Sequence, residues 1–141
     1  MSYTYEYPRP GVTADIILIT KSETPKILLI ERKHYPFEGN WALPGGFVEI
    51  DEDIEIAALR ELKEETNLED VSLTQFKTYG AVDRDPRGRT ISVVYYGFVD
   101  NELKALAGDD ASEAKWYFLN EIPKLAFDHD DILKEFIQKV L

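Results

Sequence analysis

The sequence predicts an α/β (α+β) fold in which a mixed β-sheet is held between helices. Three observations carry that expectation. Runs of strand length rich in Ile, Val and Tyr recur along the chain, two stretches have helical period, and Pro, Gly and Asp mark the joints. "VTADIILIT" (12–20) and "KILLIER" (26–32) read as strands, and the polar "KSETP" between them suits a hairpin. "KHYPFEGNWALPGG" (33–46) reads as a loop, and "FVEI" (47–50) as a short strand. From Asp51 to Asn67 the pattern is helical, with acids crowding the first turn, where the helix dipole favours them. "VSLTQFKTYGAV" and "TISVVYYGFV" form the next strand pair, joined by "DRDPRGR". Within that joint, Asp85-Pro86-Arg87-Gly88 matches a type I turn. "AKWYFL" (114–119) is the last expected strand, and "HDDILKEFIQKVL" the last helix, with Ile132, Phe136, Ile137 and Val140 on one face.

The expected organisation is one domain over residues 1–141, long enough to bury a core, with no repeat and no linker. Lys plus Arg number 16 against 27 Asp plus Glu, a formal net charge of −11. So acidic a surface argues against nucleic acid or an anionic membrane as partner, because no large basic patch can grow on it. A small phosphorylated ligand is still allowed, since it needs only a few local cations or a metal. The chain has no cysteine, which excludes disulfides and zinc–thiolate sites and fits the cytoplasm. The start "MSYTYEYPRPGV" lacks the order of a secretory signal, and no apolar run approaches the roughly 18 to 20 residues of a membrane span. A homodimer is compatible with the sequence.

The expected first helix poses a question of charge. With about 100° per residue, Ile54, Ala57 and Ala58 fall within roughly 60° of Glu61, and Glu65 within roughly 40°. Glu64 lies about 60° to the other side. An apolar stripe thus turns acidic toward the C-terminal end. A solvated acidic helix end is the plain explanation. Against it, the apolar part must face the core, so its continuation lies at the core's edge, where unpaired charge is costly. Acids also oppose the dipole in the last turns of a helix. A divalent ion removes both difficulties, and oxygen-only donors select a hard one, Mg²⁺ or Mn²⁺.

The surrounding spacing is specific. From Gly46 come five residues, Glu52, seven residues, Arg60-Glu61, Leu62, one residue, Glu64-Glu65, one residue, then Asn67-Leu68. This resembles the Nudix box, G-x5-E-x7-R-E-U-x-E-E-x-G-U with U aliphatic, and the spacing holds over all 23 positions, 46–68. The single departure is Asn67 in place of glycine. That position ends the helix, where a left-handed backbone is expected, and Asn tolerates it best after Gly.

The resemblance implies an α/β/α sandwich with a central mixed sheet, and hydrolysis of a nucleoside diphosphate linked to another group with Mg²⁺ or Mn²⁺. It implies Glu61 and Glu65 as central metal ligands, Glu64 as sharing a further ion, and the Gly45 carbonyl as an added oxygen ligand. Gly46, Glu52 and Asn67 would be structural, and Arg60 would hold the acids in place by charge-assisted hydrogen bonds. The ions would offset diphosphate charge and lower the pKa of an attacking water, so an acidic protein can accept an anionic nucleotide. Family members often take the proton acceptor from a later loop, and "AGDDASEAKW" offers Asp109, Asp110 and Glu113. Glu113 is the choice among them; the alternative is a solvated acidic loop.

Outside the box, Arg84, Arg87 and Arg89 crowd one turn of an otherwise acidic chain. Arginine forks suit phosphate oxygens and stack on bases, whereas a plain solvated turn would use neither property. This run, with "LAFDH" (125–129), resembles Nudix enzymes of the ADP-ribose pyrophosphatase type and the ligand-binding domain of Nudix-related regulators of NAD metabolism. Those regulators carry a winged-helix domain after it and often have eroded boxes. Here the box acids are intact and the chain stops at Leu141, so the enzyme is expected. Phe37 and Trp41 are candidate base-stacking rings, with packing the commoner role for Trp, and Arg32 is a candidate phosphate contact as against a surface ion pair. His129 is expected to cap or orient the last helix. ADP-ribose, split to AMP and ribose 5-phosphate, is the expected substrate. The alternatives are a house-cleaning hydrolase of modified nucleoside triphosphates and a non-catalytic nucleotide sensor.

Overall fold

The computed structural model describes residues 2–103 and 111–141. Its elements are β1 (Gly11–Thr20), β2 (Lys26–Arg32), β3 (Trp41–Ala42), β4 (Gly45–Phe47), α1 (Ile54–Thr66), β5 (Thr74–Tyr79), β6 (Thr90–Val99), β7 (Ala111–Phe118) and α2 (His129–Val140). The strands run in the order β3-β2-β1-β6-β5, with β4 also pairing β1 and β7 also pairing β2. β1 and β6 are parallel over their whole lengths, from Gly11↔Thr90 to Thr20↔Val99, and the other pairs are antiparallel. The sheet is mixed, as expected.

Period-two alternation in β1 explains the sandwich. Ile17 and Ile19 join Leu29 of β2, Val94 of β6 and Ile132, Leu133 and Phe136 of α2 in one buried cluster. Ile16 and Leu18, pointing the other way, join Leu28 and the α1 residues Ala57, Ala58 and Leu62 in a second. A strand covered on both faces must be apolar throughout, which is why "DIILIT" shows no polar alternation. Each helix covers one face, and two hydrophobic clusters sandwich the sheet.

Several boundaries differ from the sequence reading. The strand expected over 47–50 lies earlier, at Gly45–Phe47, because the glycines themselves pair with Asp15 and Ala14 of β1. Trp41–Ala42, read as loop, is a two-residue strand on the edge of β2. α1 begins at Ile54 rather than Asp51, so Glu55 is the only acid in its first turn. It ends at Asn67, whose φ of 62° is left-handed and whose N–H donates to the Lys63 carbonyl at 2.8 Å. Gly88 N–H donates to the Asp85 carbonyl at 3.3 Å, closing the turn before β6. Among the described residues, no helix is long and apolar enough to cross a membrane.

Candidate active site

The acidic stripe of α1 lies against β4, and this contact builds the site. Ala57 and Ala58 are fully buried, and the stripe continues into Glu61 and Glu65, which are 8% and 4% exposed, while Glu64 is exposed. Gly45 N–H donates to Glu65 Oε1 at 2.6 Å, tying strand to helix. A Cβ on Gly46 would stand 2.5 Å from the Glu61 carboxylate, and one on Gly45 would stand 2.3 Å from Asp15 Oδ1 and 2.4 Å from the Ala14 carbonyl. The glycine pair is therefore a requirement of close approach: any side chain would displace the carboxylates on either side.

Arg60 organises the acids from outside. Its Nε donates to Glu52 Oε2 and its Nη2 to Glu52 Oε1 at 2.9 Å, while Nη1 reaches Glu61 at 2.9 Å and Glu64 at 3.1 Å. Nη2 also donates to the Phe47 carbonyl at 3.1 Å. The guanidinium of Arg60 holds the Glu52 carboxyl below the usual carboxylate range, and Glu52, chiefly, pushes Arg60 above the ordinary arginine value.

Two adjoining spaces open here. A groove of about 510 Å³ is lined by Glu61, Glu64 and Glu65 together with Arg32, Phe47 and Arg87. A cleft of about 50 Å³ shares Arg32, Arg87, Phe47 and Glu65 with it and is closed by Asp15 and His129. Arg32 and Arg87 lie over the Phe127 ring at 4.9 and 5.1 Å, and Arg87 also lies 4.7 Å from the centre of Phe47. Burial, with the neighbouring charge of Arg87, lowers Arg32 from the ordinary arginine value. Two guanidiniums brought together in this way favour an anion between them.

The residues singled out in the sequence are distributed as follows. Glu61, Glu64, Glu65, Gly45, Gly46, Arg60, Arg32 and Arg87 line one groove. Arg84 lines the small cleft, but its fork is engaged with Asp128, at 2.9 and 2.6 Å. Arg89 is exposed, donates to the Gly80 carbonyl at 3.1 Å and lines neither space. Trp41 packs edge-on against Tyr117 at 5.0 Å beside the α2 core, and Phe37 packs edge-on against Phe127 at 4.9 Å. Glu113 lies within β7 rather than in a loop, opposite Glu31 of β2, because the strand starts at Ala111; it lines neither space. Asp109 and Asp110 lie outside the described residues. His129 opens α2 and accepts from Leu43 N–H at Nδ1 (3.1 Å), anchoring the helix to the connection between β3 and β4, and burial pushes its imidazole below the ordinary value.

Further lining residues escaped the sequence reading as site residues, among them Asp15, Phe47, Asp85 and Phe127. A signal for Asp15 existed, a lone acid inside an apolar strand. It is 6% exposed and accepts from Thr13 Oγ1 at 2.8 Å and from Ser92 Oγ. Asp85 is buried, and burial alone would raise it; hydrogen bonds from the Arg87 side chain and backbone outweigh that and lower it. Phe127 belongs to the "LAFDH" run, but its role arises from a left-handed backbone (φ 53°) that places its ring beneath two arginines.

The donors in the groove fit a hard divalent ion. The donors on α1 are carboxylate oxygens, with no sulfur in the lining and His34 as its imidazole, and the close Gly46 backbone leaves the Glu61 carboxylate room that a Cβ would take. Among the described residues no group of three His, Cys, Asp or Glu side chains stands at metal-ligand spacing, and Glu61 and Glu64 each turn an oxygen to Arg60.

Comparison with known proteins agrees with this geometry. The family model described as NUDIX domain matches residues 9–140. The chain is 48% identical over 133 residues to a protein named ADP-ribose pyrophosphatase from Methanocaldococcus jannaschii, covering 94% of this chain and 76% of that one. It is 34% identical to the ADPR responsive transcriptional repressor NtrR of Acinetobacter baylyi, over 92% of this chain but only 54% of the repressor, so it spans about half of that relative's length. Among solved structures, the NUDIX domain of Shewanella oneidensis NrtR complexed with ADP ribose superposes with a TM-score of 0.88 at 31% identity, covering 96% of this chain and 91% of that one. With the box acids gathered on one groove by the glycine pair and Arg60, the chain belongs to the NUDIX domain family.

Proposed function

We propose that the chain hydrolyses the diphosphate bond of ADP-ribose to give AMP and ribose 5-phosphate, with Mg²⁺ or Mn²⁺ as its ion. The observation that carries this reading is the shared groove: Arg32 and Arg87, stacked on Phe127, line the same space as Glu61, Glu64 and Glu65. Glu61, Glu64, Glu65 and the Gly45 carbonyl would hold the ion, which when bound supplies positive charge for the diphosphate oxygens and acidifies water. Arg32 and Arg87 bind the anionic chain of the substrate and orient it along the groove. Arg60 keeps Glu61 and Glu64 aimed, and Glu52 in turn locks Arg60. The likeness to an ADP-ribose pyrophosphatase supports the choice of nucleotide.

A second reading, a sensor that binds ADP-ribose without turning it over, is favoured by the likeness to an ADPR responsive repressor. One experiment separates the readings. Purified protein in saturating Mg²⁺ is offered ADP-ribose and a panel of ordinary and modified nucleoside triphosphates, and products are identified. AMP and ribose 5-phosphate from ADP-ribose support the enzyme. Binding of ADP-ribose with no product supports the sensor, and pyrophosphate from triphosphates with ADP-ribose untouched supports the house-cleaning hydrolase.

A further inference from the structure

Beneath the groove, the small cleft contains polar groups that the hydrolytic machinery does not use. Asp15 sits on the face of β1 that alternation turns toward α2, and His129 is the first residue of that helix; both line the cleft. Thr13 and Ser92 both donate to Asp15 Oδ2, and among the described residues no hydrogen-bond donor reaches Oδ1. Oδ1 lies close against Gly45, one of the glycine pair that shapes the carboxylate end of the groove. His129 accepts at Nδ1 from Leu43 N–H, so the proton of the neutral ring is on Nε2. Beside the arginines and carboxylates that also line the cleft, Asp15 and His129 therefore add a strong acceptor and a donor.

We propose that Asp15 and His129 are specificity-determining residues that read a hydroxyl group of the substrate's sugar, Asp15 Oδ1 accepting its proton and His129 Nε2–H donating to its oxygen. This rests on the assignment of ADP-ribose as ligand. Three features select the hydroxyl. A hydroxyl is donor and acceptor on one atom, as the pair requires, whereas a phosphate oxygen is acceptor only and would meet the Asp15, Asp85 and Glu65 carboxylates. Of the cleft's three arginines, Arg84 is matched to Asp128 and Arg87 to Asp85, and Arg32 and Arg87 also line the larger groove, to which the phosphates are assigned. Size decides against a base: about 50 Å³ holds roughly three or four water-sized groups, so a purine ring does not enter. Because Asp15 is buried, a substrate lacking the hydroxyl leaves Oδ1 without that partner, and discrimination is correspondingly steep.

The test uses equilibrium binding in EDTA, where hydrolysis plays no part, with ADP-ribose and analogues lacking one hydroxyl of the terminal ribose at a time. One analogue should bind about 10- to 100-fold more weakly to the wild type, the range for a hydrogen bond to a charged group. Asp15→Asn, isosteric but presenting a donor or a neutral acceptor, should bind that analogue and ADP-ribose alike, with the weakening confined to ADP-ribose. Its folding is checked by thermal melting. If Asp15→Asn does not fold, the wild-type comparison still decides: equal affinity for ADP-ribose and every deoxy analogue overturns the proposal. An Asp15→Asn protein that folds and keeps the wild-type preference also overturns it. Hydrolysis of ADP-ribose without hydroxyl discrimination sinks this inference alone; discrimination without hydrolysis sinks only the enzymatic reading.

Discussion

Arg84 and Asp128 form a two-pronged ion pair, Nε to Oδ2 at 2.9 Å and Nη2 to Oδ1 at 2.6 Å, which joins the turn before β6 to the N-cap of α2. The Arg84 side chain is 4% exposed. The pair fixes the first turn of α2, and with it Phe127 and His129, against the sheet. Truncation would strand Asp128 partly buried, which costs about 3 kcal/mol for pairs of this kind. Arg84→Ala should accordingly lower the unfolding free energy obtained from urea titration by that amount, with a lower midpoint. A variant as stable as wild type would show that the helix start is held elsewhere.

Glu65 is buried and receives the Gly45 N–H, which an amide oxygen can accept equally well. Glu65→Gln should therefore fold and melt like the wild type yet lose at least about a hundredfold in turnover, because charge stabilisation in the groove depends on the carboxylate. Wild-type rates in this variant would remove Glu65 from the ligand set. Protein stripped of metal should also gain thermal stability when Mg²⁺ is added, since an ion bound to the folded state alone stabilises it.

Gly46→Ala tests the close approach of β4 to α1. A Cβ there would lie 2.5 Å from the Glu61 carboxylate, the far end of a side chain that can turn aside. Folding should survive, while displacement of that carboxylate should slow hydrolysis by up to about a hundredfold. Crystallography of the variant would show whether Glu61 has moved; an unmoved Glu61 with full activity contradicts the argument.

Acid should weaken the attachment of α2 in a defined window. Hydrogen bonds from Lys139, then Lys77 and Tyr79, lower the Glu135 carboxyl from the ordinary 4.5 to about 2. A folded pKa below the unfolded one means the contribution is complete above about pH 4.5 and is lost as pH falls toward 2. Glu135→Gln should flatten the stability profile across that window and leave its shape at neutral pH unchanged. An acid limb identical to wild type would exclude Glu135 as its source.

The Asn67 cap has a left-handed φ of 62°, a conformation glycine adopts without a Cβ penalty but with greater freedom in the unfolded chain. These effects oppose each other, so Asn67→Gly should change stability by less than about 0.5 kcal/mol. A loss above about 1 kcal/mol, measured by chemical denaturation, would show that an Asn67 side-chain bond supports the helix end.

Local rules made much of the molecule readable. β6 and β2 match the strands read from their residues, and α2 differs by one residue at its end, because each is long and strongly patterned. The acidic stripe of α1 was likewise readable, since 3.6-residue periodicity alone puts Ala57, Ala58, Glu61 and Glu65 on one face. β3 escaped because two residues have no period, and β4 was displaced because glycines carry no side-chain pattern.

The recognition side of the groove follows a different logic. Arg84 and Arg87 belong to the same turn, and position alone favours Arg84 as the ligand contact, at the expected strand end rather than the exposed tip; Asp128, 44 residues away, instead takes Arg84 into an ion pair, while Phe127 holds Arg87 at the groove. Asp15 and His129 likewise meet in one cleft only because β1 and α2 pack together. Spacing along a chain reports the faces of single elements, so the box and the strand pattern could be read directly. Which arginine is spent on structure and which faces the ligand depends on long-range packing, and that is fixed by the burial of both faces of the sheet rather than by any local pattern.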